Sequence, residues 1–282
     1  MQIVHSIAEC RAFVQAARKL GQSIGFVPTM GALHEGHLSL MRRAREDCDT
    51  VVASVFVNPT QFGPRGDLAR YPRNLERDAE LAESVGVDLI FAPANAEMYP
   101  EGFTTCVTQQ GQAVKSLEGQ FRPGHFRGVL TVCLKLFHVV TPHRAYFGRK
   151  DYQQALLVTR MVRDLDLPIQ IVVCETVRGP DGLALSSRNQ YLAPLARNQA
   201  KCINRGLGRA RAALAKGERS AIELADLIRR EIVAAGPCEI DYIAIADPET
   251  LAPVETLDKP AVALVAVRIG ETRLIDNCTL EP

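Results

Sequence analysis

The stretch VPTMGALHEGHLSLMRRA, Val27 to Ala44, decides the fold. A short apolar strand ends at Pro28 and a helix begins near His37, so the two are joined by a glycine-containing turn. In an open α/β sheet such a junction is where ligands bind, at the carboxyl end of a strand and against a helix N-terminus that favours anions. His34 and His37 thus stand where a triphosphate would lie. Two histidines in an arbitrary loop are more often solvated or capping side chains. The strand-end position, with Gly31 and Gly36 allowing close backbone approach, favours a ligand role here. Only two residues separate the histidines, and Gly36 interrupts them, so the pattern is not the HExxH of a zinc site.

Outward from this junction, strand and helix patterns alternate. Strands are expected at Ile24 to Pro28, Val51 to Val57, Asp88 to Ala92, Ala145 to Gly148 and Ile169 to Val173, short and apolar as buried parallel strands are. Helices are expected from the Ser6/Glu9 capping box to about Leu20, and at His37 to Asp47, Leu75 to Ser84, Gly128 to Val140 and Tyr152 to Leu165. After Val173 the texture changes. Two helical segments, about Leu195 to Lys216 and Ser220 to Ala235, precede strands at Glu239 to Ala246, Ala261 to Val267 and Thr272 to Ile275. The expected fold class is α/β: a Rossmann-like doubly wound parallel sheet in a domain of residues 1–176, with a smaller α+β C-terminal domain of residues 177–282.

Composition bounds the function. Among 282 residues, 33 Lys+Arg against 32 Asp+Glu leave a net charge of +1, without the basic excess that a dedicated nucleic-acid binder carries. The longest apolar run, Ala261 to Val267, falls far short of the roughly 20 residues that cross a bilayer. With no secretory signal pattern over Met1 to Glu9, a cytoplasmic protein is expected. Eight cysteines without a CxxC pair read as small core hydrophobes in a reducing compartment.

No GxGxxG follows a strand, and Gly119 to Gly124 is followed by His125 and Phe126 instead of the Lys and Ser/Thr of a P-loop. The charge is uneven, however. Between Lys115 and Lys150 lie Lys115, Arg122, Arg127, Lys135, Arg144, Arg149 and Lys150 against the single acid Glu118, an excess suited either to a polyanionic ligand or to a solvated basic face. FGRKDYQQ, Phe147 to Gln154, places Lys150 and Asp151 directly after a strand, with helical spacing to Gln154. DGLALSSRNQYL, Asp181 to Leu192, offers Ser186, Ser187 and Arg188 beside Gly182, suited to a loop closing over phosphates or to ordinary capping chemistry.

Together, PTMGALHEGH, FVNPTQF (Phe56 to Phe62), YPR (Tyr71 to Arg73), RPGHFRGVLTV (Arg122 to Val132), FGRKDYQQ and LALSSRN (Leu183 to Asn189) resemble the pantothenate synthetase (pantoate–β-alanine ligase) family. That family belongs to the nucleotidyltransferases with HIGH-type and KMSKS-type signatures. The resemblance spans the chain and implies a two-step ligation. Pantoate carboxylate attacks the ATP α-phosphate, giving pantoyl adenylate and pyrophosphate; the β-alanine amine then displaces AMP. It implies ATP as substrate, Mg2+ with the ATP phosphates, a homodimer through the larger domain, and the smaller domain as lid.

The resemblance gives His37, His34 and Lys150 the catalytic role of neutralising charge on the phosphates. It gives ATP binding to Pro28, Thr29, Met30, Gly31, His34, His37, Gly148, Lys150, Asp151, Val177, Leu185, Ser186, Ser187 and Arg188. Met30, Phe56, Asn58, Gln61 and Gln154 are implied for pantoate, Arg122 and His125 for a segment closing the pocket, and Tyr71 and Asp78 for a gate. Three positions depart from the family pattern. Arg149 stands where the family has an acid, Leu185 where it typically has Met, and Arg77 replaces one acid of a frequent pair, leaving Asp78. A neighbouring reading is a nucleotidyltransferase acting on a phosphorylated acceptor, which would want an additional Arg or Lys where this chain has its two glutamines.

Overall fold

In the computed structural model, which describes residues 1–63 and 67–282, the chain forms two compact units. Unit 1 comprises Met1–Gln110, Arg122–Arg149 and Gln153–Glu175; unit 2 comprises Gly111–Phe121, Lys150–Tyr152 and Thr176–Pro282.

Unit 1 is built on six strands: β1 (Gln2–Val4), β2 (Ile24–Thr29), β3 (Thr50–Val55), β4 (Leu89–Phe91), β5 (Arg144–Gly148) and β6 (Gln170–Cys174). They form one sheet in the order β1-β4-β3-β2-β5-β6, with every pairing parallel. The helices of the unit are α1 (Ile7–Lys19), α2 (Glu35–Asp47), α3 (Leu75–Glu83) and the short α4 (Asn95–Met98). Two short helices of unit 2 follow in the chain, α5 (Gln112–Lys115) and α6 (Glu118–Phe121). Unit 1 then resumes with α7 (His125–Val140) and α8 (Tyr152–Asp164), the latter from its second residue onward.

Alternation along β2 makes the sheet doubly wound. Phe26 faces α7, its ring edge-on to Phe137 at 6.4 Å, while the next residue, Val27, packs with Leu38, Met41 and Ala44 of α2. The order of strands reverses between β2 and β5, the switch point at which open α/β sheets bind ligands outside the carboxyl ends of their strands.

Most elements fall within a residue or two of expectation, and the Ser6/Glu9 capping box forms in both halves. The differences have local causes. β1 is a three-residue edge strand with two exposed residues, too short to carry a pattern. α2 starts at Glu35, two residues early, because His34 itself caps it. α7 starts at His125, three residues before the expected Gly128, where Gly124 supplies a left-handed backbone (φ 82°); the helix is buried on most of its faces, including Phe126, Leu130 and Val139. Lys150 lies in a 3-10 turn, Arg149–Asp151, outside α8, so it does not share a helical face with Gln154.

In unit 2, α9 (Pro194–Ala215) and α10 (Ala221–Ala234) pack on three antiparallel strands, β7 (Glu239–Ala246), β8 (Ala261–Ile269) and β9 (Thr272–Leu280), paired in that order. Gly206 lets the helices meet, since a Cβ there would come within 3.2 Å of the Ile228 backbone. β9 runs five residues beyond the expected end because Asp276 and Asn277, which break the apolar pattern, are buried with partners. Asp276 pairs with Arg178 at 2.6 and 2.9 Å, and Asn277 donates to the Lys150 carbonyl at 2.9 Å. The segment Gly111–Phe121 is tied in by Glu118, which accepts two bonds from Arg273 (both 2.8 Å) and one from the Tyr242 hydroxyl (2.7 Å). Arg273 also donates to Asp241 at 2.6 Å, so its charge is balanced by two carboxylates.

Among the described residues, no helix is long and apolar enough to cross a membrane. The eight cysteines are free thiols; Cys10, Cys48, Cys133 and Cys202 are buried as expected, but Cys106 is exposed. Burial pushes the Cys10 and Cys133 thiols up to about 12.

Candidate active site

The turn after β2 is held from three sides. The Thr29 hydroxyl donates to the Ser54 carbonyl of β3 at 2.7 Å and accepts from the Gly31 amide at 3.1 Å. Gly31 and Ala32 then take left-handed backbone, φ 78° and 51°, and a side chain at Gly31 would press to 2.8 Å of Asp78 Oδ2. The Asp78 carboxylate, buried in the first turn of α3, clamps this conformation. It accepts from the Ala32 amide at 3.0 Å and the Leu33 amide at 2.8 Å. Burial raises its pKa above the ordinary value while those two amides pull it down.

His34 is the N-cap of α2, and its Nδ1 accepts from the Gly36 amide at 3.1 Å. His37 reaches back, its Nδ1 accepting from the His34 amide at 3.3 Å, and the two rings stack at 4.1 Å. A backbone amide can only donate, so both Nδ1 atoms are bare acceptors and each neutral ring carries its proton on Nε2. The helix terminus therefore presents two imidazole N–H donors with its partial positive charge, an arrangement fitted to phosphate oxygens. Pro28 and Met30, half-buried, flank this turn.

Beside it stands a carboxamide cluster on the 3-10 turn Pro59–Gln61 after β3. Asn58 is 1% exposed and Gln61 8%. Asn58 Nδ2 donates to Gln61 Oε1 at 3.1 Å and to the Gly128 carbonyl at 3.2 Å; its Oδ1 accepts from the Tyr99 hydroxyl at 2.7 Å and the Thr60 hydroxyl at 2.9 Å. Gln61 Nε2 lies 2.9 Å from Met30 Sδ, which joins the cluster to the histidine turn. His125, buried at the start of α7, bonds through Nδ1 to the Gln61 carbonyl at 3.0 Å, fixing the backbone there. Phe56 is buried against Tyr99, with ring centroids 6.2 Å apart. Tyr71 is buried edge-on to Phe62, Arg122 is half-buried just before α7, and Gln154 is half-buried on the first turn of α8.

The remaining sequence-derived candidates fall at the end of β5 and in unit 2. Gly148 closes β5. Lys150 is 18% exposed, its ammonium 3.8 Å from Asp151 Oδ1 and its carbonyl held by Asn277. Val177 and Leu185 face each other across a short turn, the Leu185 amide donating to the Val177 carbonyl at 3.0 Å. Ser186 caps the 3-10 turn Ser187–Tyr191, accepting from the Arg188 amide at 3.3 Å. Ser187 and Arg188 are half-buried on that turn.

The basic stretch does not act as one patch. The Lys135 ammonium sits 4.7 Å over the Phe103 ring, Arg144 donates to the Asp47 carbonyl, and Arg149 pairs with Glu175 at 2.8 Å. Glu175 thus answers the charge of Arg149, one of the three residues that depart from the family pattern. Arg77 pairs with Glu80 on the surface of α3. Among the described residues, no group of three or more His, Cys, Asp or Glu is arranged to hold a metal ion.

Sequence reasoning missed Thr60, whose bond to Asn58 lies inside the FVNPTQF motif, and Tyr99 and Gly128, which reach Asn58 across 41 and 70 residues and leave no local pattern. The structural role of Asp78 escaped it for the same reason.

Known proteins carry the same fold. A crystal structure of pantothenate synthetase from Thermus thermophilus superposes with a TM-score of 0.96 at 50% identity, covering 100% of both chains. A pantoate-beta-alanine ligase from Francisella tularensis, complexed with beta-gamma ATP and beta-alanine, superposes with a TM-score of 0.80 at 36% identity, covering 99% of this chain and 97% of that one. A pantothenate synthetase from Moorella thermoacetica is 54% identical over 281 residues, 100% of this chain and 99% of its own. The sequence profile of pantoate-beta-alanine ligases matches residues 2–279, and with the histidine turn and carboxamide cluster already in place, this chain belongs to that family.

Proposed function

We propose that the chain condenses pantoate with β-alanine at the expense of ATP, yielding pantothenate, AMP and pyrophosphate. The observation that carries this reading is the junction of two donor sets through Met30, phosphate-fitted imidazoles on one side and buried carboxamides on the other. A triphosphate and a small polyhydroxylated acid need such neighbours. Pantoate brings its own nucleophile, which explains a site without a serine or cysteine nucleophile.

In the first step a pantoate carboxylate oxygen attacks the α-phosphorus as the bond to the β-phosphate bridging oxygen breaks. His34 and His37 donate Nε2–H to phosphate oxygens, and Lys150 adds its ammonium, so charge on the transferring group is met by fixed donors and a cation. Pro28, Thr29, Met30, Gly31 and Gly148 line the nucleotide. Asp151, Val177, Leu185, Ser186, Ser187 and Arg188 are assigned to ATP as well. Asn58, Gln61 and Gln154 hold pantoate's polar groups against Met30 and Phe56, apolar surfaces suited to its gem-dimethyl carbon. In the second step the free β-alanine amine attacks the acyl carbon, the bond to AMP breaks and a proton is released.

Mg2+ belongs to this reading with the ATP phosphates, as part of the substrate. Among the described residues no group of three or more His, Cys, Asp or Glu is arranged to hold a further ion, and Asp78 is committed to two backbone amides; no step is routed through a metal. The reading includes a cytoplasmic homodimer, to be checked by fractionation and light scattering.

Incubation with ATP, pantoate and β-alanine tests the function. Equimolar AMP, pyrophosphate and pantothenate are expected. Nucleotide transfer to an acceptor without amide product would instead favour a nucleotidyltransferase.

A further inference from the structure

We propose that Tyr99 is a positioning residue that reinforces the orientation of the Gln61 carboxamide through Asn58, oxygen inward, so that Gln61 meets substrate only as an N–H donor. The inference rests on the pantoate role proposed for Gln61 and extends it to a residue that acts through Asn58.

A carboxamide can be rotated by half a turn, exchanging donor for acceptor, and nothing in Gln61 alone fixes which end faces the substrate. Its neighbours do. Asn58 Nδ2 lies 3.2 Å from the Gly128 carbonyl, which can only accept, and Asn58 Oδ1 lies 3.4 Å from the Thr60 amide, which can only donate. Asn58 is therefore oriented with its oxygen toward Tyr99 and Thr60. Its second Nδ2 proton points to Gln61 Oε1, 3.1 Å away. That contact turns Gln61 Oε1 inward and leaves Nε2 toward Met30 Sδ. A thioether is a weak acceptor, readily displaced by a carboxylate or hydroxyl oxygen.

Tyr99 supplies the shortest bond on this chain of donors, 2.7 Å to Asn58 Oδ1. Its phenol is pushed up by burial and stays protonated, hence a donor. The ring is fixed independently of its hydroxyl, edge-on to Phe103 at 5.1 Å, 6.2 Å from Phe56 and under the Lys135 ammonium. Three donors in series, Tyr99 O–H to Asn58, Asn58 N–H to Gln61, Gln61 N–H to substrate, polarise one another in a dry site. The chemical consequence is selectivity for ligands offering an acceptor oxygen at the Gln61 position.

Tyr99→Phe removes the hydroxyl and keeps the ring packing. Pantoate KM, and pantoate affinity by calorimetry, should weaken about five- to tenfold, the worth of one buried hydrogen bond. ATP KM and kcat should stay within twofold, while loss of the same intramolecular bond lowers the melting temperature by about 2–5 °C. In a Gln61→Ala background, where pantoate binding is already weakened, Tyr99→Phe should have no further effect, because the relay then ends on nothing. A Tyr99→Phe enzyme with unchanged pantoate KM overturns the proposal, as does the same loss with Gln61 absent. If Gln61→Ala itself leaves pantoate KM unchanged, the pantoate assignment of Gln61 fails and the relay with it; if Gln61→Ala weakens pantoate but Tyr99→Phe is silent, only the relay fails.

Discussion

Replacing Gly128 by alanine tests the packing that places the carboxamide cluster. Within α7, alanine is intrinsically better than glycine by about 1 kcal/mol. Here, however, a Cβ would lie 2.6 Å from the Gln61 amide nitrogen and closer still to the Thr60 carbonyl. Comfortable contact is about 3.5 Å, so close to 1 Å of overlap must be relieved, and both opposing atoms are backbone. Overpacking costs about 1–3 kcal/mol, and against unyielding backbone the upper part of that range, about 2–3 kcal/mol, applies; less the helix gain, this leaves a net loss of roughly 1–2 kcal/mol. At about 2–4 °C per kcal/mol, the melting temperature should fall by roughly 2–8 °C. Relief also pushes the Pro59–Gln61 turn away from α7, shifting Asn58 and Gln61; a displacement near 1 Å costs about a hundredfold in kcat/KM for pantoate. Gly208 is the internal control, a helical glycine of α9 with nothing within 4 Å of its would-be Cβ. Gly208→Ala should raise the melting temperature slightly and leave kinetics unchanged. A Gly128→Ala protein that melts higher, with wild-type pantoate KM, would refute the argument that close approach of α7 builds the site.

Asp78→Asn should destabilise the β2–α2 turn by about 1–3 kcal/mol, because an amide offers one acceptor oxygen where Ala32 and Leu33 present two donors; thermal melts and both substrate KM values read it. Lys150→Ala should depress adenylate formation, followed as pyrophosphate release, more than ATP affinity, as expected of a contact strongest in the transition state; equal losses would mark a ground-state role. The Asp49 carboxyl is held below its ordinary range by Ser23, and that of Asp247 by Thr250. Their folded pKa values lie below the unfolded value of about 4, so the stability they contribute is present above pH 4 and lost as pH falls through the folded values. Melting temperature should therefore drop between about pH 4.5 and 3, and the Asp49→Asn, Asp247→Asn double variant should flatten that drop.

What was legible in the sequence is what local periodicity encodes. The Ser6/Glu9 box, the apolar strands β2 to β6 and the alternating edge of β7 each announce themselves within a dozen residues. The start of α2 was misplaced because histidine is not a usual N-cap, yet His34 performs that role with its Nδ1. Strand β9 looked finished at Ile275 because two polar residues follow, and only the folded chain supplies Arg178 for Asp276. The placement of Gly111–Phe121 in unit 2 depends on Glu118 meeting Arg273, 155 residues away. The site divides likewise: the histidine turn and Gln61 are read from motifs, but Asp78, Tyr99 and Gly128 work through contacts 41 to 70 residues distant in sequence.

The proposed chemistry rests on pantoate's own carboxylate attacking the α-phosphorus of ATP at the histidine turn. Pantoate labelled with 18O in its carboxylate reads that step itself, when it is turned over with ATP and β-alanine and the AMP is analysed by mass spectrometry. One 18O transferred to the phosphate of each AMP formed, with none in pyrophosphate, is the expected result; unlabelled AMP alongside pantothenate would contradict it.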